Sequence, residues 1–180
     1  WPVSSTMILG IAGGNGLEHI RDSGIKKVYG VDINAAYLSE TSVRYQDLGN
    51  ILELLCIDLH KCSGKLPRAE LLIANLLVEY IGCECFQQVV QQVEPIYVSC
   101  VIQVNTGVSW VSDSPYLHVF DGLKQVYHQI DADMLRESMS GIGYRYIGAL
   151  EYPLPNGKKL VRLDFKKGSM DMLLPDSTAG

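Results

Sequence analysis

Apolar and polar positions along the chain change period repeatedly, and each change marks an element. The apolar run "MILGIA" at 7–12 is long enough for a buried strand. Leu17 and Ile20 then open a short helix that Ser23-Gly24 ends. "KVYGVDI" at 27–33 predicts a second strand, and Asn34 can cap the helix after it, with Leu38, Tyr45 and Leu48 on its apolar face. "ILELLCI" at 51–57 predicts a third strand, "HKCSGKLPR" a polar loop, and "ELLIANLL" at 70–77 a fourth strand. Ile81, Cys85, Phe86, Val89, Val90 and Val93 recur at helical spacing until Pro95. "IYVSCVIQV" at 96–104 predicts a fifth strand. Residues 105–130 hold Trp110, Pro115 and several aromatics without a regular period. Asp131 starts another helix, with Met134, Leu135 and Met139 inside and Gly141 and Gly143 at its end. Two last strands, 144–152 and 159–166, flank "PLPNG", where Asn156-Gly157 is a hairpin signal. Residues 168–180 have no period and are expected to form a disordered tail.

Five alternations of strand and helix imply right-handed crossovers and a parallel sheet covered on both faces. The expected fold class is α/β: one three-layer α/β/α domain over 1–167, with a mostly parallel seven-stranded sheet closing on an antiparallel hairpin. The 180 residues are 47% hydrophobic and 19% charged, enough for one well-buried core. No uncharged apolar run reaches the roughly 18 residues of a membrane span, and no secretory signal is visible. The cysteines are Cys56, Cys62, Cys83, Cys85 and Cys100, an odd set scattered through apolar segments. That pattern predicts reduced thiols and a cytoplasmic location. Cys83 and Cys85 have no partner cluster at metal spacing, so zinc is not expected. A net charge of −5 argues against a broad nucleic-acid-binding face.

In an open parallel sheet, ligands bind beyond the carboxyl ends of the strands. Four successive strand ends here carry small or polar residues: Ala12-Gly13-Gly14-Asn15-Gly16, Asp32, Asp58 and Asn75. Small residues let a ligand approach the backbone, and the acids can accept from a ribose and an amine. Taken singly, each has a plainer reading. The glycines can be a turn, Asp32 a helix cap, Asp58 a loop acid, and Asn75 a partner for strand-end backbone. Their conjunction on one rim points to a ligand site. A nicotinamide fingerprint, G-x-G-x-x-G, would need glycine at position 19, which is His19.

With these residues in place, the chain resembles the class I S-adenosylmethionine-dependent methyltransferases. "LGIAGGNG" fits the family's first motif, acid-x-G-x-G-x-G, with Gly14 and Gly16 as its last two glycines. Gly10 stands where the family has an acid, and Ala12 replaces the first glycine. "VYGVDIN" resembles the second motif, "CIDLH" the third, "LLIANLLVEYIG" the fourth, and the closing hairpin the family's final strand pair. The resemblance implies a Rossmann-like fold and S-adenosyl-L-methionine as cofactor. It implies cofactor contacts from Ala12, Gly13, Gly14, Gly16, Asp32, Ile33, Asp58, Leu59 and Asn75. Asp32 would meet the ribose, Asp58 the adenine amino group, and Leu59 would offer backbone. Asn75, Glu79 and Tyr80 would face the reacting methyl.

A base is needed only for a protonated acceptor. Candidates are Glu79, Tyr80, His60, and His118 and His128 in the irregular segment. Each has a packing or solvated alternative, as do Tyr116 and Tyr127. The acceptor stays open between RNA, such as transfer RNA, and a small molecule. "NLLVEY" lacks the paired prolines of the family's DNA-adenine branch, so that target is not expected. An RNA acceptor would predict a basic stripe from Lys26, Lys27, Lys61, Lys65 and Arg68, which a solvated face explains more simply. Six residues precede the first predicted strand, so an open pocket, or one completed by a second copy in a homodimer, is expected. Two other functions remain: a non-catalytic S-adenosylmethionine-binding or interaction domain, and an NAD-dependent dehydrogenase.

Overall fold

The computed structural model describes residues 1–61, 66–105, 128–155 and 157–168. Strands β1 (Ser5–Leu9), β2 (Lys27–Asp32), β3 (Leu52–Cys56), β4 (Leu71–Asn75), β5 (Tyr97–Asn105), β6 (Tyr144–Leu154) and β7 (Lys158–Lys167) form one sheet in the order β3-β2-β1-β4-β5-β7-β6. The first five run parallel, and β7 pairs antiparallel with both β5 and β6. Order reverses between β1 and β4, the switch point where such sheets open a crevice.

Side-chain alternation assigns the two faces. In β1, Met7 and Leu9 enter the larger core with Phe86, Val89, Leu135 and Met139, while Ile8 packs on a smaller cluster of Leu17, Ile20, Leu38 and Tyr45. Helix α1 (Ala35–Arg44) starts where Asn34 Oδ1 accepts from the Ala36 and Tyr37 amides. Helix α2 (Val78–Val93) ends before Pro95, which has no amide to continue it, and Glu94 takes φ 50. Helix α3 (Ala132–Gly141) starts on Asp131, whose Oδ1 accepts from Asp133 N and Met134 N, each at 2.9 Å.

Several expectations change. Met134 is 49% exposed, because α3 buries only the stripe carrying Leu135 and Met139. The segment at Leu17–Ile20 is a single 3-10 turn, and Tyr45 and Leu48 are buried beyond the end of α1. Among the described residues between β3 and β4 there is one 3-10 turn, Leu59–Lys61, and no α-helix. Among the described residues no helix is long and apolar enough to cross a membrane. The aromatic segment with His118, the turn residue Asn156 and the tail beyond Gly168 lie outside the described residues.

Replacing Asp131 by alanine strips two amides of their acceptor. Urea unfolding of Asp131→Ala should show a loss of about 1 kcal/mol at unchanged m-value.

Candidate functional site

After β1 the chain turns sharply at Gly10 (φ 65) and Ala12 (φ 48). Gly10 N and Ile11 N both donate to Val31 O, at 2.8 and 3.1 Å. The Asp32 carboxylate holds the turn from the other side: Oδ2 accepts from Ala12 N and Oδ1 from Asn34 N, each at 2.9 Å. Helix α1 secures the rest of the glycine-rich segment. Thr41 Oγ1 donates to Ala12 O at 2.9 Å, Arg44 Nη1 donates to Asn15 Oδ1 at 3.1 Å, and Glu18 Oε2 accepts from Gly16 N at 3.0 Å and Tyr45 OH at 2.9 Å. A Cβ on Gly14 would lie 2.8 Å from both Thr41 Cγ2 and Tyr45 Cε2. Gly14 therefore lets the turn seat against α1.

Beside this turn lies a cleft of about 250 Å³. It is lined by Gly10 after β1, by Val31, Asp32 and Ile33 at the end of β2, by Ile57, Asp58, Leu59 and His60 after the neighbouring β3, and by Leu77, Tyr80 and Ile81 at the start of α2. Asp58 Oδ1 accepts from His60 N at 3.1 Å, and Lys61 Nζ lies 3.0 Å from Oδ2. The hydrogen bond from Lys61 holds the Asp58 carboxyl below the usual carboxylate range. Ile33 is 67% exposed, an apolar side chain at the mouth. At Gly10, where the resembled family has an acid, a Cβ would lie 3.2 Å from Leu77 Cδ1. Leucine fills the side-chain position of that acid.

Of the sequence-predicted residues, Asp32, Ile33, Asp58, Leu59 and Tyr80 line the cleft. Ala12 meets the cleft's lining through its bond to Asp32, Gly13 and Gly14 lie against Arg44, Thr41 and Tyr45, and none of Ala12, Gly13, Gly14 and Gly16 lines the cleft. Asn75 is exposed at the end of β4 and also does not line it. Val31, Ile57, Leu77 and Ile81 were not among the predicted site residues. Each sits within two residues of a predicted polar position or Tyr80 in an apolar run, so its neighbourhood was the available signal.

No family model and no curated protein matches this sequence. Among solved structures the chain is similar to the methyltransferase domain of bacterial CtHen1-C, at 15% identity and TM-score 0.70, over 93% of this chain and 91% of that one. It is also similar to magnesium protoporphyrin IX methyltransferase (ChlM) from Synechocystis PCC 6803 with bound SAH, at 13% identity and TM-score 0.64, over 93% and 75%. A third is the [4+2]-cyclase SpnF, at 12% identity and TM-score 0.68, over 92% and 76%. The chain has the class I methyltransferase fold. Since one protein sharing this fold is named for a cyclisation, the reaction must be argued from side chains.

Within the class I methyltransferase fold, Glu79 takes an unexpected place. It is 1% exposed and does not line the cleft. Strand β5 outruns β4: Leu76 N donates to Val101 O, then Leu76 turns away at φ 55. The next donor on that edge of a parallel ladder, Gln103 N, loses its strand partner. Glu79 Oε1 accepts it at 2.7 Å. Oε2 is buried and has no hydrogen-bond partner among the described residues. The geometry makes Glu79 a cap on the β5 edge, turned away from the cleft where a base for the acceptor would stand.

Burial pushes the Glu79 carboxyl above its ordinary value, against the opposing hydrogen bond from Gln103. The folded chain then holds this proton to higher pH than the unfolded chain. Glu79 therefore costs stability as pH rises from the ordinary value of 4.5 through the raised one. Urea unfolding at about pH 5 and about pH 8 should show Glu79→Gln flattening that fall, since it keeps an acceptor and removes the charge. Glu79→Ala, which strands Gln103 N, should lose about 2 to 3 kcal/mol.

Proposed function

We propose that this chain is an S-adenosylmethionine-dependent methyltransferase that holds the adenosyl half of its cofactor in the cleft between Gly10, Asp32 and Asp58. The observation that carries this reading is that carboxylates from the ends of two neighbouring strands, Asp32 and Asp58, line one largely apolar cleft. The residues fit the group. Asp32 uses two of about four acceptor sites on its neighbours' amides, leaving lone pairs for ribose hydroxyls. Asp58 supplies an acceptor for an exocyclic amine, and Leu59 its backbone. Val31, Ile33, Ile57 and Leu59 offer apolar surface to a planar base. When bound, S-adenosylmethionine supplies an electrophilic sulfonium methyl, and transfer is an in-line displacement that depends on positioning. Tyr80, from the fourth motif, lines the cleft from α2, which supports giving it the role of orienting the reacting end.

Gly10 in place of the family's acid, with Leu77 against it, favours one second reading, a cofactor-binding domain without transferase activity. The four free cysteines among the described residues support a reducing, cytoplasmic setting.

Calorimetry should show S-adenosylhomocysteine binding and no heat with NADH. Asp32→Ala should weaken the binding roughly tenfold or more, the loss of charged hydrogen bonds. Because Asp32 also braces the turn, Asp58→Ala serves as a second variant and should weaken binding as well. Heat with NADH and none with S-adenosylhomocysteine overturns the reading.

A further inference from the structure

A second cavity of about 530 Å³ adjoins the cofactor cleft, with His60 and Ile81 lining both. Helix α2 is broken at Gly82, within its lining. Gly82 takes φ 74 and ψ 162 inside the helix, and a Cβ there would lie 3.2 Å from His128 Nε2. A continuous helix would give Glu79 O to Cys83 N; here His128 N donates to it at 2.7 Å. The break thus seats one histidine over the helix, while His60 approaches from the end of β3. Glu84 and Gln88, both exposed and one turn apart, form the rim, and Cys83 is half-buried beside them.

The chemistry of this wall is selective. Among the described residues it carries one carboxylate, an amide, two imidazoles and thiols, and no lysine or arginine. A nucleic-acid backbone needs cations to neutralise its phosphates, and this wall supplies the opposite charge. The volume falls in the range of small-molecule pockets.

Resting on the cofactor reading above, we propose that this cavity binds the methyl acceptor, and that the acceptor is a small molecule carrying an amine. Glu84 attracts the protonated amine and accepts its N–H, and Gln88 adds a neutral hydrogen bond. His60, at the junction of cavity and cleft, takes the proton that the nitrogen must shed. The amine nitrogen forms its bond to the methyl carbon with its lone pair, and the carbon–sulfur pair stays on sulfur as a thioether. The proton passes to the His60 imidazole, and then to water, before the attack, because the ammonium has no lone pair until it leaves.

The test supplies the full chain with S-adenosylmethionine labelled in the methyl group. It offers total RNA, and the dialysable fraction of a cell extract split on cation and anion exchangers. Label should enter the cation-retained fraction. Glu84→Gln should slow that labelling roughly tenfold or more, the loss of one charged hydrogen bond, while S-adenosylhomocysteine affinity stays that of the wild type. Independently of activity, the cation-retained fraction should protect Cys83, but not the exposed Cys56, from iodoacetamide, and Glu84→Gln should remove the protection. Label in RNA or in the anion-retained fraction overturns the proposal. So does label in no fraction while S-adenosylhomocysteine still binds. Failure to bind S-adenosylhomocysteine removes the cofactor reading itself.

Discussion

The cleft depends on one carboxylate. Asp32 sits at the end of β2 and bonds forward to Asn34 N and across to Ala12 N. The first bond shapes the entry to α1, whose cap is Asn34. The second pins a turn that runs through two left-handed positions, Gly10 and Ala12. Hydrogen bonds to an ionised acceptor are the strong kind, and these two fix the relative placement of β1, β2 and α1. Thr41 and Arg44 on α1 then hold the far side of the same turn. The carboxylate proposed to meet the ribose is also the one that builds the wall around it. Binding and local order are therefore coupled at this residue.

The wall built by α2 follows from a mismatch in strand length. β5 continues past the end of β4, and α2 begins alongside the exposed edge. Glu79 closes that edge, and the break at Gly82 redirects the helix immediately afterwards. A carboxylate with one buried oxygen that has no partner among the described residues is an expensive cap. Glu79 secures the end of β5, and its backbone oxygen the seat of His128, which lines the second cavity. The first turn of α2 thus contributes Tyr80 to the cleft, Glu79 to the sheet and Glu79 O to His128, three directions from consecutive residues.

Near-continuous apolar runs bounded by Gly, Asn and Pro made the strands legible in the sequence, because a doubly covered parallel strand must be apolar on both faces. The alternating order then left few topologies, and the closing hairpin carried its own turn signal. Asn34 and Asp131 were readable as caps because capping is a local event, decided within three residues. The acids at two strand ends were legible for the same reason: a strand's last residue is known once the strand is.

Which of the rim residues face one another was decided only in three dimensions. Gly14 and Gly16 matched a motif, yet Gly14 packs against Thr41 and Tyr45, Gly16 bonds Glu18, and neither lines the cleft. Glu79 is two residues past Leu77 in sequence, but Leu77 lines the cleft and Glu79 caps β5, because two steps at a helix start turn the side chain through roughly half a turn. Leu77 occupies the space at Gly10 although 67 residues of sequence separate them. Local chemistry determined the elements and their caps. Long-range packing decided which side chains share a cavity, since that depends on strand lengths and on where a helix breaks.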